Sequence, residues 1–275
     1  MTTHASPVPA VISAIDTSVR DNHLFTFTSS QALCVAPGQF VEITVPGVGG
    51  FPVSASALCG ERTLESCIRR AGRVTSALYT LAEGDSVGIR GPFGNGFPLA
   101  AFEGRDALLI AGGLGMAPLR GLLQALLSLE ERVGQITLLY GSRDPDSILF
   151  RSELEALACS GRARVQFTVD FYTELPWTSG DVLCRVGLVN TLLDGLSFSP
   201  ESTTAAVCGP PALYGCVLEE LAALGVNPDC IYATLERRMR CGIGQCCHCA
   251  TGGIFICQEG PVFNLSRLRK LPGAI

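Results

Sequence analysis

Histidine is scarce. Only His4, His23 and His248 occur among 275 residues, which leaves little room for imidazole catalysis or a histidine-rich metal site. Positive charge is not in excess either: 20 Lys and Arg stand against 25 Asp and Glu, a net charge of −5, and a nucleic-acid binder with a basic face is excluded. No long apolar run survives intact. The most hydrophobic stretch, Ala107 to Leu119, is broken by Gly112, Gly113, Gly115 and Pro118, short of the ~18 apolar residues of a membrane span. The N-terminal MTTHASPVPA lacks a positively charged start, an apolar segment and a small-residue cleavage site, so a cytoplasmic location is expected. Internal repeats and low-complexity segments are missing as well.

Apolar residues and cysteine are plentiful. The chain is 47% hydrophobic, enough to fill a core, and it carries 13 cysteines. In a reducing compartment so many thiols point away from a disulfide framework and towards metal or redox chemistry. Cys34, Cys59, Cys67, Cys159, Cys184, Cys208, Cys216 and Cys230 are scattered and are expected to be mostly small buried hydrophobes. The others crowd together near the C-terminus. Cys241, Cys246, Cys249 and Cys257 read C-x4-C-x2-C-x7-C, and the first three match the loop spacing of a plant-type [2Fe-2S] site. Gly242, Gly244, Gly252 and Gly253 are expected to let backbone amides approach the sulfurs. A structural Zn(Cys)4 site is the alternative, but zinc ribbons pair two short knuckles and this spacing has one. Cys247 reads as a bystander, since putting it in place of Cys246 breaks two spacings at once. His248 reads as an exposed loop residue, because a Rieske-type site needs two histidines. Residues 236–275 hold six bases and two acids, a local +4 that suits a negatively charged cluster.

The remaining elements fall into two textures. VISAIDTSV, HLFTFTSS, QFVEITV, FPVSASA, RTLESCIRR and DSVGIR are short, rich in β-branched or aromatic residues and separated by turn formers, as in a small antiparallel barrel, with one helix at VTSALYTL. From about Arg105 apolar strands alternate with helices: ALLIA, PLRGLLQALLSLEERV, QITLLY, SILFRSELEALAC, RVQFTVD, a helix in VGLVNTLLD, TTAAVC, ALYGCVLEELAAL and CIYATL. That alternation means a parallel sheet. The expected organisation is an all-β barrel over 1–102, an α/β Rossmann-like nucleotide-binding domain over 103–235 and a cluster-binding segment over 236–275.

AGGLGMAPLRGLL follows a buried strand and opens a helix, where a glycine turn can hold a pyrophosphate against the helix N-terminus. The same residues would also serve as a plain strand-to-helix turn. A second strand ends in Cys208-Gly209-Pro210-Pro211 before another helix. The order of barrel, GGLGMAP, YGSRDPDSILF, CGPP and cysteine cluster resembles the ferredoxin–NADP reductase superfamily over the whole chain, in its branch of electron-transfer subunits with a C-terminal [2Fe-2S] cluster. GRVTSALYTLAEGDSVGIRGPFGNGFP, ERRMRCGIGQCCHC and ICQEGPVFN look most like the iron–sulfur electron-transfer subunit of anaerobic sulfite reductase. The γ subunits of cytosolic NiFe hydrogenases are similar over the same segments, and the electron-transfer subunit of dihydroorotate dehydrogenase is a more distant relative.

The resemblance implies FAD in the barrel. The superfamily's R-x-Y-[ST] motif falls on Phe51-Pro52-Val53-Ser54, where only Ser54 matches literally. Pro52, Val53 and Ser54, with Gly72, Val74, Thr75 and Ser76 of a second segment, are the implied flavin contacts; Ser and Thr there also suit a helix cap. Gly113, Gly115 and Pro118 carry over onto the pyrophosphate turn of NAD(P)H, and Cys208, Gly209 and Pro210 onto the nicotinamide side, with Cys208 a shape element. Ser142 and Arg143 follow the second strand, where an arginine can pair with a 2′-phosphate while Asp144 and Asp146 oppose it, leaving NADH and NADPH open. The implied activity is a hydride-to-single-electron converter with no catalytic acid or base, passing electrons to catalytic and ferredoxin-like subunits of a sulfite reductase or a hydrogenase. A zinc-binding scaffold that has lost the flavin is the non-enzyme alternative.

Overall fold

The computed structural model describes residues 4–58, 60–171 and 182–273. They form two compact units: one from the N-terminus to Phe97 with Arg120–Gln124 and Leu235–Val262, the other Pro98–Leu119, Ala125–Thr234 and the chain from Phe263 on.

The first unit is built on seven antiparallel strands, β1 (His4–Val19), β2 (Asn22–Ser29), β3 (Phe40–Val45), β4 (Gly49–Ser54), β5 (Ala57–Leu58), β6 (Thr63–Arg69) and β7 (Ser86–Phe93), in the order β4-β3-β7-β1-β2-β6-β5. Alternation decides the inner face: in β2, Phe25 and Phe27 are fully buried while Thr26 and Thr28 point away. The edge strands β4 and β5 are consecutive in the chain, joined by Ala55 and Ser56. Two residues cannot span an open seven-stranded sheet, so its edges meet. Ser66 Oγ donates to the Ser54 carbonyl at 3.2 Å across that seam. Helix α1 (Arg73–Leu78) lies where a helix was expected, and its Leu78 is fully buried among Ile12, Phe25 and Ile89.

In the second unit β8 (Asp106–Gly112), β9 (Ile136–Ser142), β10 (Arg164–Val169), β11 (Leu183–Val186), β12 (Thr203–Cys208), β13 (Ile231–Thr234) and β16 (Val262–Asn264) run in the order β11-β10-β9-β8-β12-β13-β16. The pairs from β11 to β13 are parallel. Every residue of β12 is buried, as a parallel strand covered on both faces requires. Helices α2 (Met116–Ser128), α3 (Arg151–Cys159) and α4 (Pro211–Ala223) connect the strands. From β8 the chain moves to β9 on one side, and from β12 to β13 on the other. The sheet order therefore reverses between β8 and β12, the point at which open α/β sheets bind ligands.

Two expectations are corrected. The helix in VGLVNTLLD is absent: Val186 ends β11, Gly187 takes φ 140°, and only a 3-10 turn at Val189–Leu192 follows. That glycine lies in the left-handed half of φ space and breaks any helix begun before it. The scattered cysteines are mostly not buried. Only Cys67 and Cys208 are; Cys34, Cys159 and Cys216 are exposed, Cys184 and Cys230 intermediate, and Cys59 lies outside the described residues.

Candidate functional site

Between Thr234 and Ala250 the chain has no helix or strand, yet it is not featureless. Gly242 (φ 70°) and Gly244 (φ 73°) turn the backbone inward, and a Cβ on Gly244 would stand 2.5 Å from the Gln258 side chain. The turn aims amides at sulfur: Gly244 N–H donates to Cys257 Sγ at 3.2 Å, Gln245 and Cys246 N–H to Cys241 Sγ at 3.3 and 3.4 Å. Gly252 and Gly253 do a different job from the one expected. At φ 56° and 85° they form the two-residue turn of a hairpin of β14 (Ala250–Thr251) and β15 (Ile254–Phe255). This hairpin fills the x7 gap and returns Cys257, at the start of α5 (Ile256–Glu259), to Cys249; both thiols are 2% exposed.

The thiols act on one another: Cys241 on Cys246, and Cys249 and Cys241 on Cys257. Donation by the His248 and Cys241 amides and by the Cys241 thiol draws Cys246 down to about 7. Burial, then the Cys249 thiol, pushes Cys257 up to about 12. Among the described residues no three His, Cys, Asp or Glu side chains are arranged around a single ion. A [2Fe-2S] cluster takes two thiolates on each of two irons, so its four ligands need not converge on one point. Cys247 is exposed at φ 58°, and exposed His248 turns Nδ1 to the Cys246 carbonyl at 3.0 Å.

The glycine turns sit at the switch point of the parallel sheet. Gly113–Gly115 form a 3-10 turn capping β8, and Pro118 falls in the first turn of α2. Gly113 takes φ 52° with open space where a Cβ would be, while Gly115 is pressed against the Cys208 carbonyl. Cys208 pairs with Ala111, its side chain fully buried, which suits a shape element. Gly209 meets Gly112, and Pro210 precedes α4. Two tyrosines that sequence reasoning passed over support these turns. The buried Tyr140 hydroxyl donates to the Gly113 carbonyl and accepts from Leu149 N–H, both at 3.1 Å; the Tyr214 hydroxyl accepts from Gly209 N–H at 3.1 Å. A phenol inside an otherwise apolar strand was the available signal for Tyr140. Ser142 is the buried last residue of β9 rather than a loop residue, and Arg143 is exposed and paired with Asp144 at 3.2 Å. Hydrogen bonding from Ser147, with Arg143 adding to it, holds the Asp144 carboxyl below its usual range.

In the antiparallel unit, Pro52, Val53 and Ser54 close β4, while Gly72, Val74, Thr75 and Ser76 open α1. Arg73 binds the Val48 carbonyl at 2.9 Å, so α1 rests on the start of β4, with Ser54 at its far end. Along the strand Pro52 lies three residue steps and Ser54 five from Gly49, roughly 10 and 16 Å. A ligand that reaches from α1 to Ser54 must be extended. Thr75 Oγ1 is used locally, accepting from Ala71 and Gly72 N–H at 2.9 and 3.0 Å, and Ser76 accepts from Arg70 at 3.3 Å. Gly72 leaves open space at the helix start.

A doubly wound sheet with glycine turns at its switch point, in one chain with a closed antiparallel sheet and a four-thiolate loop, defines a nicotinamide-nucleotide oxidoreductase with an iron–sulfur segment. Residues 109–219 match the model of the oxidoreductase NAD-binding domain, and residues 236–269 that of the iron-sulfur cluster binding domain of dihydroorotate dehydrogenase B. Sulfhydrogenase 2 subunit gamma of Pyrococcus furiosus is 40% identical over 91% of this chain and 86% of its own. A probable dihydroorotate dehydrogenase B (NAD(+)) electron transfer subunit of Thermoplasma acidophilum is 31% identical over 86% of this chain and 82% of its own. Among solved structures, an NADH-dependent reduced ferredoxin–NADP oxidoreductase superposes with TM-score 0.75 at 23% identity, over 97% of this chain and 89% of that one. The chain belongs to the family of the sulfhydrogenase γ subunits and the dihydroorotate dehydrogenase B electron transfer subunits, with an oxidoreductase NAD-binding domain and this iron–sulfur cluster binding domain. The finer resemblance to the sulfite reductase component is not what these relatives support; the alternative, a hydrogenase γ subunit, fits them better. No helix of the described residues is long and apolar enough to cross a membrane.

Proposed function

We propose that the chain oxidises NAD(P)H and passes single electrons, through FAD and a [2Fe-2S] cluster, to the catalytic subunit of a hydrogenase-type complex. The observation that carries this reading is the turn through Gly242 and Gly244, whose backbone amides are already directed at the sulfurs of Cys241 and Cys257. When bound, FAD supplies the exchange between a hydride and single electrons, and the cluster accepts one electron at a time. Pro52, Val53 and Ser54, with Gly72, Val74, Thr75 and Ser76, hold the flavin as an extended ligand. Gly113, Gly115 and Pro118 admit the nicotinamide nucleotide's pyrophosphate to the start of α2, Cys208, Gly209 and Pro210 shape the nicotinamide side, and Ser142 and Arg143 stand towards the adenosine. No side chain serves as acid or base. The partner class follows from the sulfhydrogenase γ relatives, 40% and 41% identical.

An absorbance spectrum of anaerobically purified protein tests this. Flavin bands over broad iron–sulfur absorption, bleached by NADH or NADPH, are expected; a colourless zinc protein contradicts it. Co-purification with a hydrogenase subunit, rather than with dihydroorotate dehydrogenase or sulfite reductase, tests the partner.

A further inference from the structure

The end of β7 and the loop that follows it touch the thiolate segment at both of its ends. At the entry, Arg90 of β7 lies in register with Glu42 of β3 and binds its carboxylate through Nε at 3.1 Å and Nη2 at 2.8 Å. The side chains are 16% and 17% exposed, so the fork is partly desolvated and geometrically fixed. Gly50 makes room for it, since a Cβ there would stand 2.8 Å from Glu42 Oε1. The same Nη2 donates to the carbonyl of Arg240 at 3.1 Å, one residue before Cys241. Phe93 lies under the guanidinium at 5.6 Å, and its ring is the wall a Cβ on Gly242 would strike at 2.9 Å.

At the exit, Asn95 uses its whole amide. Nδ2 donates to the carbonyls of Glu259 at 3.0 Å and Val262 at 2.7 Å, Oδ1 accepts from Val262 N–H at 3.1 Å, and the Asn95 N–H donates to Gly260 O at 2.7 Å. Gly94 permits that approach: at φ 81°, a Cβ on it would fall 2.5 Å from Gly260 O. The chain between the anchors has little regular structure of its own beyond a six-residue hairpin and one helical turn, so its order depends on what grips it.

We propose that Arg90, Glu42 and Asn95 are positioning residues that clamp the thiolate segment at both ends, and that Arg90 also supplies a fixed cation at its entry. Only the electrochemical part rests on the cluster reading above. Reduction adds negative charge to a cluster, so a nearby cation favours the reduced form.

The test uses the full chain, purified anaerobically, with Arg90→Gln, Arg90→Lys, Glu42→Gln and Asn95→Ala. Hydrogen–deuterium exchange over residues 241–257 rises about tenfold in Asn95→Ala and Arg90→Gln, while β2 and β6 stay protected. By EPR-monitored titration the cluster midpoint falls in Arg90→Gln, rises in Glu42→Gln and returns towards wild type in Arg90→Lys. Unchanged exchange over 241–257 in variants that keep β2 and β6 protected overturns the clamp, and an unmoved midpoint overturns the cation's role. Should Arg90→Gln also expose β2 and β6, Asn95→Ala, in the loop beyond β7, decides the clamp. A wild-type chain without iron ends the cluster reading and leaves exchange to judge the clamp.

Discussion

A Cβ on Gly115 would lie 2.1 Å from the carbonyl oxygen of Cys208, closer than any atom can be packed. The turns that end β8 and β12 are thus fitted to each other at the reversal point of the sheet.

Gly115→Ala forces the turns apart, at about 1–3 kcal/mol for overpacking. The expected outcome in steady-state kinetics is a KM for NAD(P)H raised at least about tenfold, with iron and flavin content unchanged. A normal KM in a folded variant counts against nucleotide binding at this edge.

Cys249→Ser and Cys257→Ser each remove a buried thiol, whereas Cys247→Ser alters an exposed side chain. Iron analysis should show cluster loss in the first two and about two irons per chain in the third. Equal iron in all three would place the ligands elsewhere.

Asp144 keeps Arg143 occupied at 3.2 Å. Asp144→Asn should release the guanidinium and shift the ratio of kcat/KM towards NADPH by about 3- to 10-fold, because a freed arginine pairs well with a 2′-phosphate. An unchanged ratio means that Arg143 does not face the adenosine ribose.

His23 stacks on Tyr79 with centroids 4.0 Å apart, and burial, opposed by Asp16, holds its pKa below 6.5. The unfolded chain then takes up a proton first as pH falls, so this group's contribution is intact above pH 6.5 and is lost below it. Glu220 and Glu236, raised mainly by burial, titrate with the opposite sign. The readout is therefore a difference: the fall in Tm from pH 7 to pH 5 should be smaller in His23→Phe than in wild type.

Local pattern made much of this molecule legible. Period-two alternation marked β2, the doubly buried run Ala107–Ala111 marked β8, and spacing alone picked out four cysteines whose segment turns backbone amides towards two of their sulfurs. Other features depend on distant chain. The seam at Ala55–Ser56 needs the whole strand order, and Arg90 and Asn95 bind carbonyls 150 to 167 residues away. The apolar stripe in VGLVNTLLD was misread because Gly187 sets φ where periodicity cannot see it. Exposed Cys34, Cys159 and Cys216 show that cysteine's usual burial is a preference and not a rule.

The most direct measurement is EPR of the anaerobic chain, frozen after mixing with NADH or NADPH and without any other reductant. Electron passage from nicotinamide to the thiolate segment should produce an S = 1/2 iron–sulfur signal, with about two irons and one FAD per chain. No signal, together with about one zinc and no flavin, contradicts the account at its centre.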